Sequence, residues 1–205
     1  MRGHALILSL ARNLKYYPLA LKQAMAGDGP FQFIAPTFNT NLCNGTRKNL
    51  YSCDTWELLN LSPTEVADIP TRLSKEYGIS PDALAKELEK FSIQSVGKEK
   101  LDVDFKITKP TQYMISVANH YSWSKSCAIT GIGRDNLITI GVDNDARMDK
   151  GLLKSQLQGH LNDRQAVYCV VVIAGTRFTV SLLLFPNDSH DRYRHNGTRL
   201  RGSFV

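Results

Sequence analysis

The residues whose types and spacing suit chemistry gather in the second half of this 205-residue chain. His120 lies in Ala118-Asn119-His120-Tyr121-Ser122, directly after the apolar, β-rich run Tyr113-Met114-Ile115-Ser116-Val117. From position alone, a loop histidine hydrogen-bonded to backbone is the commoner role. Thr176 ends Ala174-Gly175-Thr176, after the apolar run Val167 to Ile173. Asp143, Asp145 and Asp149 suggest calcium, but the glycine and glutamate of an EF-hand loop are not in place, and they read as a solvated acidic loop. Gly131-Ile132-Gly133 reads as the end of a helix. There is no Gly-rich dinucleotide loop, phosphate loop or H-E-x-x-H pattern. Cys43, Cys53, Cys127 and Cys169 have no close paired spacing, so they imply reduced thiols in a cytosolic protein, not a zinc site or a disulfide framework.

The elements that position these residues alternate strand, helix, strand, helix, strand from Gln112 to Thr176. Strands are expected at Tyr113–Val117, Leu137–Val142 and Val167–Ile173, with helices over Trp123–Ile132 and from Met148-Asp149 to Leu161. The last strand is apolar on both faces, as inside a parallel sheet. This order predicts an α/β fold with a parallel-sheet βαβαβ unit. Ligands in such sheets sit beyond the carboxyl ends of the strands, where the loops bearing His120 and Thr176 lie.

Upstream, residues 11–25 predict two helical pieces split at Pro18, and Asn41 to Thr46 a tight turn. A short helix follows over Asp54–Leu59. Ser62-Pro63-Thr64-Glu65 and Ser80-Pro81-Asp82 write two helix starts, with Glu65 set to complete a capping box and Gly78 as the stop between them. Arg177 to Phe185 admits another strand. Pro186 to Gly202 is too polar to offset the entropy of ordering and predicts disorder.

Bulk properties exclude some function classes. No apolar run approaches the roughly 20 residues that cross a bilayer. Met1 to Ala11 only faintly imitates a signal peptide. The net charge is +6, and the 29 residues from Arg177 carry +3 of it as five Lys/Arg against two Asp/Glu. That basic tail lacks the folded face and aromatic platforms of a nucleic-acid site, so neither nucleic acid nor membrane is an expected partner.

The spaced set Asn119-His120-Tyr121-Ser122-Trp123-Ser124-Lys125, Gly131-Ile132-Gly133, Val142 to Asp149 and Val170 to Thr176 resembles the middle of a group II pyridoxal-phosphate-dependent amino-acid decarboxylase, in its tyrosine decarboxylase-like branch. Ala11 to Leu19 is similar to the family segment after the cofactor-phosphate loop. The resemblance covers roughly residues 11–176, with a helical insertion at about 62–97. It implies a fragment of the large domain of a fold-type I PLP-dependent transferase-like fold. It also implies decarboxylation of an amino-acid substrate, of the aromatic L-tyrosine type by branch, in a cytoplasmic homodimer with pyridoxal 5′-phosphate as cofactor. His120 matches the catalytic histidine that stacks on the cofactor ring, and Thr176 a residue lining the same pocket. The sequence departs from the family at both ends. Residues 1–10 hold no phosphate loop, and after Thr176 there is no lysine for the Schiff base and no strand-borne aspartate for the pyridine nitrogen. The expectation is a partial chain, bounded by unrelated sequence at 1–10 and 177–205, that is inactive alone. The alternative is a non-catalytic truncated paralogue that pairs with an intact decarboxylase.

Overall fold

The structure is a computed structural model that describes residues 2–173 and 180–183. It opens with one continuous helix, α1 (Arg2–Met25), with Pro18 inside it. This corrects the expected split at Pro18. A proline inside a helix removes one backbone bond and costs about 3 kcal/mol. Leu8, Ala11, Leu19, Leu21 and Met25 are buried on both sides of it. Each large apolar side chain so buried contributes about 1.5–3 kcal/mol, so packing outweighs the break. The helix also runs without interruption across residues 10 and 11, where the family-like sequence begins.

A 3₁₀ turn at Gln32–Ile34 leads into an antiparallel hairpin of β1 (Asn39–Asn41) and β2 (Arg47–Asn49). The expected turn lies between them, but three-residue strands are too short to leave a periodic signal. The short helix α2 (Thr55–Leu59) is closed by an Asp54–Glu57 capping box. Next come α3 (Pro63–Tyr77), stopped by Gly78 at φ 69°, and α4 (Pro81–Glu89), each capped by its serine. Glu65 does not complete the predicted box. Its carboxylate accepts from Thr40 Oγ1, Asn41 N and Asn41 Nδ2 at 2.9, 3.0 and 2.9 Å, and pairs with Arg72 at 2.8 Å. Two short helices, α5 (Ile93–Val96) and α6 (Lys98–Asp104), return the chain to the sheet.

The sheet contains β3 (Gln112–Ser116), β4 (Leu137–Ile140), β5 (Val167–Ile173) and β6 (Val180–Leu183), in the order β4-β3-β5-β6. β3 pairs in parallel with both β4 and β5, and β6 adds antiparallel to β5. The crossovers carry α7 (Ser122–Ile129) and α8 (Lys150–Asn162). Three parallel strands joined through helices are the predicted α/β βαβαβ unit. The tail stretch Pro186 to Gly202 lies outside the described residues.

Side-chain alternation divides the sheet between two cores. Tyr113, Ile115, Cys169 and Val171 join the large cluster with α1, while Met114, Ile140 and Val170 form a second one beside Leu153 and Leu157 of α8. The register steps from Gln112↔Val167 to Tyr113↔Cys169, leaving Tyr168 as an extra residue on β5. That irregularity allows Tyr168 and Cys169 to join the same cluster, where the Tyr168 ring stacks on Tyr113 at 4.5 Å. Among the described residues, no helix is long and apolar enough to cross a membrane.

Candidate active site

β3 is the middle one of the three parallel strands, and the loop leaving its carboxyl end is shaped by local bonds. Val117 N donates to Ile140 O at 2.7 Å, extending the pairing with β4 one residue past β3. Ser116 Oγ accepts from Ala118 N at 3.1 Å, and Asn119 Nδ2 donates back to Ser116 O at 2.7 Å. The chain then enters α7, whose Trp123 and Cys127 are buried against α1 and anchor the helix. Gly131 and Gly133, at φ 72° and 84°, end this segment, with Ile132 N and Gly133 N both donating to Cys127 O.

His120 is therefore an exposed imidazole on a fixed loop at the ligand end of the sheet. Its Nδ1 lies 2.7 Å from Ser122 Oγ and accepts from Ser122 N at 3.3 Å. Tyr121 lies against the ring, with centroids 4.3 Å apart and planes tilted by 38°. Ser122 Oγ also lies 2.8 Å from His4 Nδ1, and the His4 ring stacks on Trp123 at 4.2 Å. Burial is the first cause of a lowered pKa at His4, followed by the positive N-terminus and His120. Thr176, the other sequence-predicted site residue, lies outside the described residues. β5 ends at Ile173 on the sheet edge that also bears the His120 loop.

Sequence reasoning missed roles for Ser122 and His4. The His-x-Ser spacing is the local signal for Ser122, since it brings a hydroxyl within reach of the ring. His4 has no such signal, because it is 118 residues away along the chain. The acidic loop is structural. Asp143 accepts from Asp145 N and Arg147 N, and Asp149 caps α8 through Gly151 N and Leu152 N. Burial raises the thiol pKa of Cys53 and Cys127 to about 11 and that of Cys169 to about 12, which leaves them protonated packing groups. Burial drives the Lys15 pKa down to about 8, and its Nζ donates to Leu59 O at 2.8 Å. A cavity of about 380 Å³ lined by Trp56, Phe105, Ile107, Lys109 and Arg164 opens beside the segments that precede β3 and β5, at the opposite edge from His120.

The fold and the loop histidine define a class, an α/β protein with a candidate ligand site beyond its parallel strands. No protein-family model matches the chain. Its sequence is similar to L-tyrosine decarboxylase from Levilactobacillus brevis, 26% identical over 168 residues that make up 81% of this chain and 21% of that protein. The Enterococcus faecium L-tyrosine decarboxylase is 25% identical over 166 residues, again 81% and 21% of the two chains. The Enterococcus faecalis (strain ATCC 700802 / V583) protein of that name is 28% identical over 121 residues, 59% and 17%. These relatives support a tyrosine decarboxylase-like family, and the chain spans about a fifth of the length of the first two. The crystal structure of mouse CSAD is similar over 50% of this chain and 17% of that one, with 20% identity and a TM-score of 0.32.

Proposed function

We propose that this chain carries the ring-binding part of a pyridoxal 5′-phosphate-dependent decarboxylase acting on an aromatic, tyrosine-like L-amino acid, within the large domain of a fold-type I enzyme. The observation that carries the reading is an exposed imidazole, His120, held through Nδ1 beyond the carboxyl end of the middle parallel strand. Similarity to the three tyrosine decarboxylases supports the reaction class.

The residues fit the cofactor in part. A pinned, solvent-facing imidazole offers a flat face for an aromatic ring, and Thr176 is assigned to the same pocket by family position. Within the 205 residues no lysine follows Thr176, and Asp188 and Asp191 are the acidic residues after it. In the complete enzyme, pyridoxal phosphate supplies the electron sink for the carbanion left by loss of carbon dioxide.

On their own, the 205 residues bind the cofactor weakly and turn over no amino acid. Incubated with pyridoxal phosphate and L-tyrosine, they release no carbon dioxide. A chimera in which they replace the matching 168 residues of the Levilactobacillus brevis enzyme decarboxylates L-tyrosine, and His120→Ala lowers its kcat/KM by about 100-fold through lost positioning. Turnover by the 205 residues alone, or a folded, cofactor-loaded chimera indifferent to His120→Ala, would overturn the reading.

A second reading, a non-catalytic paralogue that pairs with an intact decarboxylase, is favoured by one observation. Leu6 and Leu10, one turn apart on α1, are 70% and 51% exposed. Co-purification with a full-length decarboxylase that Leu6→Lys abolishes supports it, and recovery of the chain alone removes it. A homodimer and a cytoplasmic setting belong to the same proposal, the latter resting on four cysteines without close pairing.

A further inference from the structure

We infer that His4, Ser122 and His120 form a one-way hydrogen-bond chain that fixes His120 as the Nε2–H tautomer, making Ser122 and His4 positioning residues for the candidate site. The direction follows from one bond whose polarity is not negotiable. A backbone N–H only donates, so the 3.3 Å contact from Ser122 N makes Nδ1 of His120 the acceptor. That nitrogen carries a lone pair, and the proton of the neutral ring sits on Nε2. Ser122 Oγ, 2.7 Å from the same nitrogen, must then donate its single hydrogen to it. With that hydrogen used, Ser122 Oγ can only accept from His4, whose Nδ1 at 2.8 Å must carry a proton. Neutral or charged, His4 can donate from Nδ1, so the order of the chain does not depend on its ionisation.

Each member is held by something else. Ser122 is 2% exposed. His4 is stacked on the buried Trp123 with planes 19° apart. Tyr121, which precedes α7, makes no side-chain cap bond, and the imidazole of His120 satisfies the N–H of Ser122, one of the first-turn donors that have no partner within the helix. The ring is thus fixed to α7 through one nitrogen, and the edge it turns to solvent is a donor. No described residue bonds Nε2. A ligand atom meeting that edge has to be an acceptor.

The hydrogen-bond chain stands without any cofactor. Only the term positioning rests on the function proposed for His120. Its test therefore uses the 205-residue protein alone, labelled with ¹⁵N, and reads the histidine ring nitrogens by long-range proton–nitrogen correlation. His120 is expected to show a protonated Nε2 and a bare Nδ1, and His4 a protonated Nδ1. Ser122→Ala removes the link, and His4→Phe keeps a ring on Trp123 while removing only the donor. Both variants are expected to shift the His120 ring signals while distant amides stay in place. A protonated Nδ1 on neutral His120 would overturn the inference. So would His120 signals unmoved in His4→Phe with its fold intact. Because no cofactor is added, failure here leaves the decarboxylase reading untouched, and failure of that reading leaves this result untouched.

Discussion

His120 leaves β3 on a loop and is held through Nδ1, while Lys15 of α1 is half-buried with its Nζ donating to Leu59 O. Burial lowers the Lys15 pKa from 10.5 to about 8, against the opposing influence of the Cys43 and Cys169 thiols. Between those two values the unfolded chain binds more protons than the folded one, so this residue makes stability rise with pH from about 8 to 10.5. Lys15→Met keeps the apolar stem and removes the ammonium. The difference in urea midpoint between variant and parent is expected to favour the variant most below pH 8 and to shrink by pH 10. A difference that does not change with pH would contradict the account. The surroundings of Lys15 were not legible in the sequence, because nothing local to Arg12-Asn13-Leu14-Lys15 reveals that α2 will pack beside it. His120 was legible as a loop histidine, and the role proposed for it came from the resemblance. Ser122 stood in the same motif without a role, and His4 emerged only once α1 had packed beside α7.

At the scale of elements, punctuation residues carried most of the reading. Ser62-Pro63, Ser80-Pro81 and Gly78 start and stop α3 and α4 where expected, because caps are local chemistry. Pro18 misled for the opposite reason, since tertiary burial on both sides of it overrides a local break. Glu65 misled likewise, because a capping box competes with any stronger donors nearby. Burial works to raise its pKa, and bonds from Asn41 and Thr40 together with the Arg72 charge outweigh it, so the carboxyl ends up lowered. Its charge contributes stability above the ordinary carboxyl pKa, and that contribution is lost as pH falls through the lowered value. Glu65→Ala is expected to cost about 2–3 kcal/mol, in the range for hydrogen bonds to a charged group. Amide exchange should quicken first in the β1–β2 hairpin that Glu65 ties to α3. Equal quickening across β3 and β5 would show that Glu65 supports the whole fold and not the hairpin.

For the whole molecule, the α/β class followed from alternating strand and helix periods, and the parallel pairing of β3 with β4 and β5 agrees with it. The antiparallel edge strand β6 was legible as a strand but not in its direction, since a run such as Val180-Ser181-Leu182-Leu183 pairs either way. The cavity by Trp56 and Phe105 opens at the edge away from the strands' carboxyl ends. The His120 loop lies where parallel sheets bind their ligands.

The most direct measurement adds 4-deoxypyridoxine 5-phosphate, which has the cofactor's ring and phosphate without its aldehyde, to the ¹⁵N-labelled chain at millimolar concentration. The account predicts saturable ring-current shifts at His120 and Tyr121, with the matching shifts of the ligand lost in His120→Asn. Signals that move instead around Trp56 and Phe105, or a His120 ring that does not respond at any concentration, would contradict it.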